Sequence, residues 1–179
     1  MFEYEVKVKV EDLDKIRNRL KILGAKKLCI KREVDIYFQH PCRDFKKTDE
    51  ALRLRFEKEK SIFTYKGPKI SKEIKAREEI NIRVGKKNSE KLISILEKLG
   101  FYKVAEVKKT RETYRLREYE INLDHVENLG DFIEIELKTP SESLESATEK
   151  LKLCLVKLGI RATPILKSYL ELLLEKQKR

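Results

Sequence analysis

Phe2-Glu3-Tyr4-Glu5-Val6-Lys7-Val8-Lys9-Val10 alternates without a break. Phe2, Tyr4, Val6, Val8 and Val10 fall on one face of a strand, and Glu3, Glu5, Lys7 and Lys9 fall on the other. Near the far end of the chain the pentapeptide Glu3-Tyr4-Glu5-Val6-Lys7 returns as Glu134-Ile135-Glu136-Leu137-Lys138. Carboxylates at positions i and i+2 project from one strand face about 7 Å apart, by the rise of a strand. Two such strands facing each other across an enclosed space would offer four carboxylates to a hard cation.

The same alternation spreads outward from these two segments. Arg53 shares a face with Arg55, Thr64 with Lys66, and Lys75 with Arg77, Glu79 and Asn81. Lys109, Arg111, Thr113 and Arg115 form another set, as do Glu120, Asn122 and Asp124. The opposite faces are apolar, as in Leu52, Leu54 and Phe56 or Ile133, Ile135 and Leu137. Strands are read over about 29–38, 51–59, 62–67, 74–84, 103–117 (broken), 119–126 and 131–138. In any one strand a charged face is simply a solvated face. So many in one chain require a different account.

Four amphipathic helices are available to cover the apolar faces. Asp12 caps one that carries Leu13, Ile16, Leu20 and Leu23. A second starts at Asn88 or Ser89 with Leu92, Leu96 and Leu99, and a third follows Pro140-Ser141 with Leu144, Ala147, Leu151, Leu155 and Leu158. All three end Leu-x-x-Leu-Gly, at Gly24, Gly100 and Gly159. The last, over 164–176, opens at Pro164 and presents Ile165, Tyr169, Leu172 and Leu173. The reading is an α+β chain with one domain over 1–175 and a basic tail over 176–179. If the sheet curls into a barrel with its helices outside, the charged faces line the interior. Mixed acids and bases there suit a polyanion held together with Mg²⁺ or Mn²⁺.

Composition agrees. Of 179 residues, 40% are hydrophobic and 41% charged, which excludes a disordered chain. No apolar run is long enough to span a bilayer, and the N-terminus reads as neither signal nor transit peptide. Cys29, Cys42 and Cys154 give neither a disulfide framework nor a zinc site and suit a reducing cytoplasm. Cys29 and Cys154 read as small core residues, and Cys42 as exposed. The 29 Lys and 24 Glu against 2 Gln carry the bias of proteins from hot environments. The formal charge of +11 invites a nucleic-acid reading, but the bases are interleaved with acids and form no long block. His40, His125, Tyr37 and Phe38 read as packing or solvated groups, and Asp49-Glu50 as a turn.

Taken in order, the motifs resemble those of the CYTH superfamily, the triphosphate tunnel metalloenzymes. They are Glu3-x-Glu5-x-Lys7, Asp35-x-Tyr37-Phe38, His40-Pro41-Cys42-Arg43-Asp44-Phe45, and Thr48-Asp49-Glu50-Ala51-Leu52-Arg53-Leu54-Arg55. Then follow Thr64-Tyr65-Lys66-Gly67-Pro68, Arg77-x-Glu79, Lys109-x-Arg111, Asp124-x-Val126 and Gly130-x-Phe132-x-Glu134-x-Glu136. The Asp-x-Tyr-Phe and Pro-Cys-Arg-Asp-Phe segments are most similar to the class IV adenylyl cyclase branch. The resemblance implies a closed eight-stranded antiparallel β-barrel around a charged tunnel. It implies metal ligands Glu3, Glu5, Glu134 and Glu136 with Asp124 beside them. It also implies a triphosphate grip of Lys7, Arg53, Arg55, Lys66, Arg77, Lys109 and Arg111, to which Lys75 is added by its shared face with Arg77. Lys7 and Asp124 are the candidates for the chemical step, and Lys167 is a candidate for closing one tunnel mouth.

The implied activity is conversion of ATP to cyclic AMP and pyrophosphate. The alternatives are hydrolysis of tripolyphosphate, thiamine triphosphate or a nucleotide, and non-catalytic binding of polyphosphate or nucleic acid. The expected partner is a small triphosphate, with no membrane and no nucleic acid. A homodimer stays open.

Overall fold

The computed structural model describes residues 2–58, 60–138 and 143–177, apart from the side chains of Phe2 and Glu3. Among the described residues eight strands, β1 (Phe2–Lys9), β2 (Lys26–Gln39), β3 (Ala51–Phe56), β4 (Lys60–Lys66), β5 (Lys75–Gly85), β6 (Tyr102–Leu116), β7 (Tyr119–Val126) and β8 (Gly130–Leu137), form the sheet. Four helices, α1 (Leu13–Ile22), α2 (Lys86–Lys98), α3 (Leu144–Lys157) and α4 (Tyr169–Gln177), are set between and after them. The strands close into a barrel in the order β1-β5-β4-β3-β2-β6-β7-β8. Every neighbouring pair is antiparallel.

The alternation explains which side packs. Val6, Val8, Ile121, Leu123, Ile133 and Ile135 point outward and are buried under α1 and α3 through Ile16, Leu20, Leu151 and Leu155. Leu52, Leu54 and Phe38 are covered by Leu96 of α2. The inward faces hold the charged sets, of which Lys7, Arg53, Arg55, Lys75, Arg77, Lys109, Arg111, Asp124 and Glu134 are buried too. A third apolar cluster lies at one end of the interior, where Leu173 and Tyr169 of α4 meet Tyr37, Val107, Val126 and Phe132.

Local sequence sets most helix ends. The Asp12 side chain accepts the Lys15 amide at 3.0 Å, and Ser143 accepts that of Ser146 at 3.2 Å. Gly100 follows α2 at φ +88°, and a Cβ there would come within 3.1 Å of Pro41.

Several expectations are corrected. α2 starts at Lys86, not Asn88 or Ser89, because the β5 ladder runs to Gly85, opposite Lys60, and the helix follows at once. β6 is unbroken, since β2 pairs along its length through two register shifts, with Leu28 the extra residue on β2 at the first and Val104 the extra residue on β6 at the second. α4 starts at Tyr169, not Pro164. The Ile165 amide bonds the Lys7 carbonyl at 2.7 Å, which holds that stretch out of a helix. Ser168 and Glu171 then form a reciprocal capping box: the Glu171 amide donates to Oγ of Ser168, and the Ser168 amide to Oε2 of Glu171. The helix continues to Gln177, past the expected end of the domain, and Lys178 and Arg179 lie outside the described residues. Cys29 is exposed rather than a core residue, because the first half of β2 pairs with β6 alone.

Candidate functional site

Strand register places the inward side chains. On β1 and β8, Lys7 stands opposite Glu134 and Glu5 opposite Glu136. The two Glu-x-Glu segments therefore do not face each other across the barrel. Closure hydrogen-bonds the first strand to the last, so they form one continuous wall. The wall four strands round from β1 is β2, and it carries its own pair of carboxylates, Glu33 and Asp35, both almost fully buried.

Between these walls lies a cavity of about 230 Å³. Glu5, Lys7, Arg53, Arg55, Lys66 and Lys75 line it, and so do Arg77, Lys109, Arg111, Glu134 and Glu136. The fold thus brings together every expected grip residue. Asp124 lies just behind, with no exposed surface. The side chain of Glu3 is outside the described residues, although its backbone pairs with that of Arg77. Lys167 does not line the cavity; it is half exposed and pairs with Glu175 at 2.8 Å. His40 packs edge-on against Phe101 and accepts the Cys42 amide, and exposed His125 meets Asp131.

The charges are tightly interlocked. Nε and one NH2 group of Arg55 reach Asp35 at 2.6 and 2.8 Å, and its other terminal nitrogen meets Glu33 at 3.1 Å. Arg53 donates to Thr64, whose hydroxyl donates to Asn81. Arg111 donates to Asp124 through Nε at 2.7 Å and also bonds Glu134. Lys109 bridges Glu33 and Asp124 at 3.3 and 3.4 Å. Lys75 bonds Glu5 at 2.6 Å, and both Lys75 and Lys7 lie within 4 Å of Glu134. Lys66 pairs with Glu79, and Lys138 with Glu136.

Burial opposes the charge on Glu33, Asp35 and Glu134, yet the surrounding Lys and Arg outweigh it and hold all three carboxyls well below their usual range. Burial, followed by the neighbouring Lys75 charge, pulls the Lys7 ammonium well below the ordinary lysine range. Lys75 is buried as well, but Glu5 and Glu134 more than compensate and raise it.

Three participants escaped the sequence reading. Glu33 extends the i, i+2 carboxylate pattern already noted at Glu3 and Glu5, so its partnership with Asp35 was there to be found. Glu50 reads as a turn residue, but its carboxylate anchors the loop after β2, taking Thr48, Tyr65 and Arg43. Tyr169 reads from the sequence only as part of a helix stripe. Its hydroxyl donates to Asp124 at 2.8 Å, and the Lys7 ammonium lies 4.0 Å from its ring centroid.

Among the described residues, no three His, Cys, Asp or Glu side chains converge as a ready metal cage. The donor set still fits a hard divalent ion. Glu5, Glu134 and Glu136 offer oxygen only, from two adjacent strands, and their present partners are lysines and an arginine that a cation would replace. Among the described residues, no helix is long and apolar enough to cross a membrane.

Residues 1–169 match the family model of the CYTH domain. A Methanocaldococcus jannaschii protein provisionally named an adenylate cyclase is 45% identical over 178 residues, covering 96% of this chain and 98% of its own. A Pyrococcus horikoshii protein of solved structure superposes with a TM-score of 0.89 at 41% identity, covering 97% of this chain and 99% of its own. A Hippeastrum protein, described as an adenylyl cyclase candidate with a dominant triphosphatase activity, shares the fold at 19% identity and a TM-score of 0.73, covering 97% of this chain and 96% of its own.

Proposed function

The chain belongs to the CYTH domain family, and from that premise we propose that it is a metal-dependent enzyme acting on a triphosphate inside its barrel, as an adenylyl cyclase. The observation that carries the reading is the inward ring of buried cations set against the carboxylates of β1 and β8. A solvated charged face has no reason to be buried, whereas a polyanion-binding lumen does.

Glu5, Glu134 and Glu136, with Glu3 and Asp124 as further carboxylates, would hold Mg²⁺ or Mn²⁺, which neutralises phosphate oxygens when bound. Arg53, Lys66, Arg77 and Lys109 would grip the phosphate chain, and Arg55 and Arg111, fixed by their carboxylates, shape the charged wall. Lys7, buried between Glu134 and Tyr169, would stabilise charge developing on the phosphoryl group. In the cyclase reaction the ribose 3′-hydroxyl attacks the α-phosphorus and pyrophosphate leaves. Phe45, Leu170 and Leu174 also line the cavity and would offer apolar surface to the nucleoside that inorganic tripolyphosphate lacks. Support also comes from the adenylate cyclase name of the relative at 45% identity.

The second reading is hydrolysis, with water attacking the terminal phosphorus, and it is favoured by the activity of the Hippeastrum neighbour. The same grip serves both reactions, so the choice rests on which phosphorus faces the nucleophile. Incubation with ATP, tripolyphosphate and thiamine triphosphate, with Mg²⁺ or Mn²⁺, decides. Cyclic AMP with pyrophosphate supports the proposal, and orthophosphate without cyclic AMP replaces it by the second reading. No turnover of any of them leaves a polyphosphate-binding protein.

A further inference from the structure

Tyr169 stands where the interior changes from charged to apolar. It opens α4, and the capping box at Ser168 and Glu171 sets that start. Just upstream, the Ile165 amide is bonded to the carbonyl of Lys7, so the C-terminal segment is tied to β1 at the residue whose ammonium the ring covers. The Tyr169 ring packs edge-on against Phe132 at 5.1 Å, and its hydroxyl is fixed on Asp124. These two restraints leave the ring one orientation.

In that orientation it serves two cations. The ammonium of Lys7 lies 4.0 Å from the ring centroid and that of Lys109 lies 5.0 Å from it. Lys7 is almost fully buried, and among the described residues its Nζ has no hydrogen-bond acceptor. A cation–π contact strengthens as water is removed, so the ring is worth most at such a group. It also differs in kind from a carboxylate. Lys7 also pairs with Glu134 at 3.7 Å, and Lys109 with Glu33 and Asp124 at 3.3 and 3.4 Å; such carboxylates hold an ammonium by offsetting its charge and compete with phosphate. An aromatic face holds the ammonium and leaves the charge to act on an incoming anion.

We propose that Tyr169 is a positioning residue for polyanion binding: its ring fixes the ammonium groups of Lys7 and Lys109, and its hydroxyl fixes Asp124. The proposal rests on the triphosphate reading and adds to it a residue from outside the charged strands. The ring supplies the binding effect. The hydroxyl, acting through Asp124 and Arg111, affects turnover.

The test separates ring, hydroxyl and bulk. Tyr169→Phe keeps the ring and loses the hydroxyl, whereas Tyr169→Met keeps comparable bulk and loses both. Binding of inorganic tripolyphosphate without metal is measured by calorimetry. kcat and KM are measured for the substrate the wild type turns over, with Mg²⁺, below the thermal midpoint of each variant. Expected for Tyr169→Phe are a dissociation constant and KM within about twofold of wild type and a reduced kcat. Expected for Tyr169→Met is binding weaker by about tenfold, the size of two partly desolvated cation–π contacts. Tyr169→Leu makes the same comparison if the methionine variant does not fold. Unchanged or tighter binding in the folded methionine or leucine variant overturns the proposal, and so does equal weakening in Tyr169→Phe. A wild type that binds no tripolyphosphate overturns the triphosphate reading itself and the proposal with it. A wild type that binds tripolyphosphate but turns over no substrate overturns the enzymatic reading alone, and the binding comparison still judges Tyr169.

Discussion

Glu5 and Glu136 are direct cross-strand partners on β1 and β8, and Glu136 has a third glutamate, Glu120 of β7, on its other side. Like charges in such positions repel. Lys75, Lys138 and Arg115 relieve the row in this state, bonding Glu5, Glu136 and Glu120 in turn. A divalent ion would relieve it better.

Mg²⁺ or Mn²⁺ is therefore expected to raise the thermal midpoint, by about 2.7 kcal/mol of stability at roughly a hundred times its dissociation constant. Glu136→Gln should lose that gain and the metal-dependent turnover, while its metal-free form is no less stable than wild type. Calorimetric melting with and without metal checks this, and an undiminished metal response in Glu136→Gln would remove Glu136 from the metal site.

Arg111 is the sole described cation bonded to both Asp124 and Glu134. Arg111→Met leaves two buried carboxylates short of a partner and should cost about 3–5 kcal/mol. Urea unfolding measures it, and a loss below about 1 kcal/mol would show that neighbouring lysines suffice.

Glu33 meets Lys31, Arg55 and Lys109 only as ion pairs, without a directed hydrogen bond to either oxygen. Glu33→Gln removes a negative charge from the cation wall. Stability should fall by on the order of 3 kcal/mol. Tripolyphosphate should bind more tightly, by about 1 kcal/mol or roughly fivefold. Opposite signs in unfolding and binding calorimetry are the signature; weaker binding would make Glu33 a support for the grip instead of a counterweight.

Glu112 ties α1 to the barrel through Arg17, with Lys27 and Tyr114 on the same carboxylate. Burial alone would raise its pKa, but those hydrogen bonds reverse the effect and hold it down at about 2. Because the folded value lies below the unfolded one, its stabilisation is complete above about pH 4.5 and lost as the pH falls through about 2. Glu112→Gln should be less stable at neutral pH and show a shallower acid slope in that window. An identical slope in equilibrium unfolding would exclude Glu112 as a source of acid sensitivity.

The grip residues were legible because strand alternation is a local rule. If Leu54 must face the core, Arg53 and Arg55 must face the other way, and the same holds for Lys109 and Arg111. The motif order made the barrel legible as well. Less was readable at the ends of elements, where competing local bonds decide: Pro164 is a good helix start, but the backbone bond from Ile165 to Lys7 and the cap at Ser168 move it to Tyr169.

By itself, then, the sequence determined which side chains point inward, since period-two alternation needs no knowledge of any partner strand. Only the tertiary structure decided which of them meet. Closure made neighbours of β1 and β8, set Glu33 and Asp35 opposite them, and brought Tyr169 from the far end of the chain onto Lys7. Pairing across a closed sheet depends on register and strand order, and a helix entering the lumen depends on both. Such long-range relationships are chosen by the packing of the whole chain and are not written in any one segment of it.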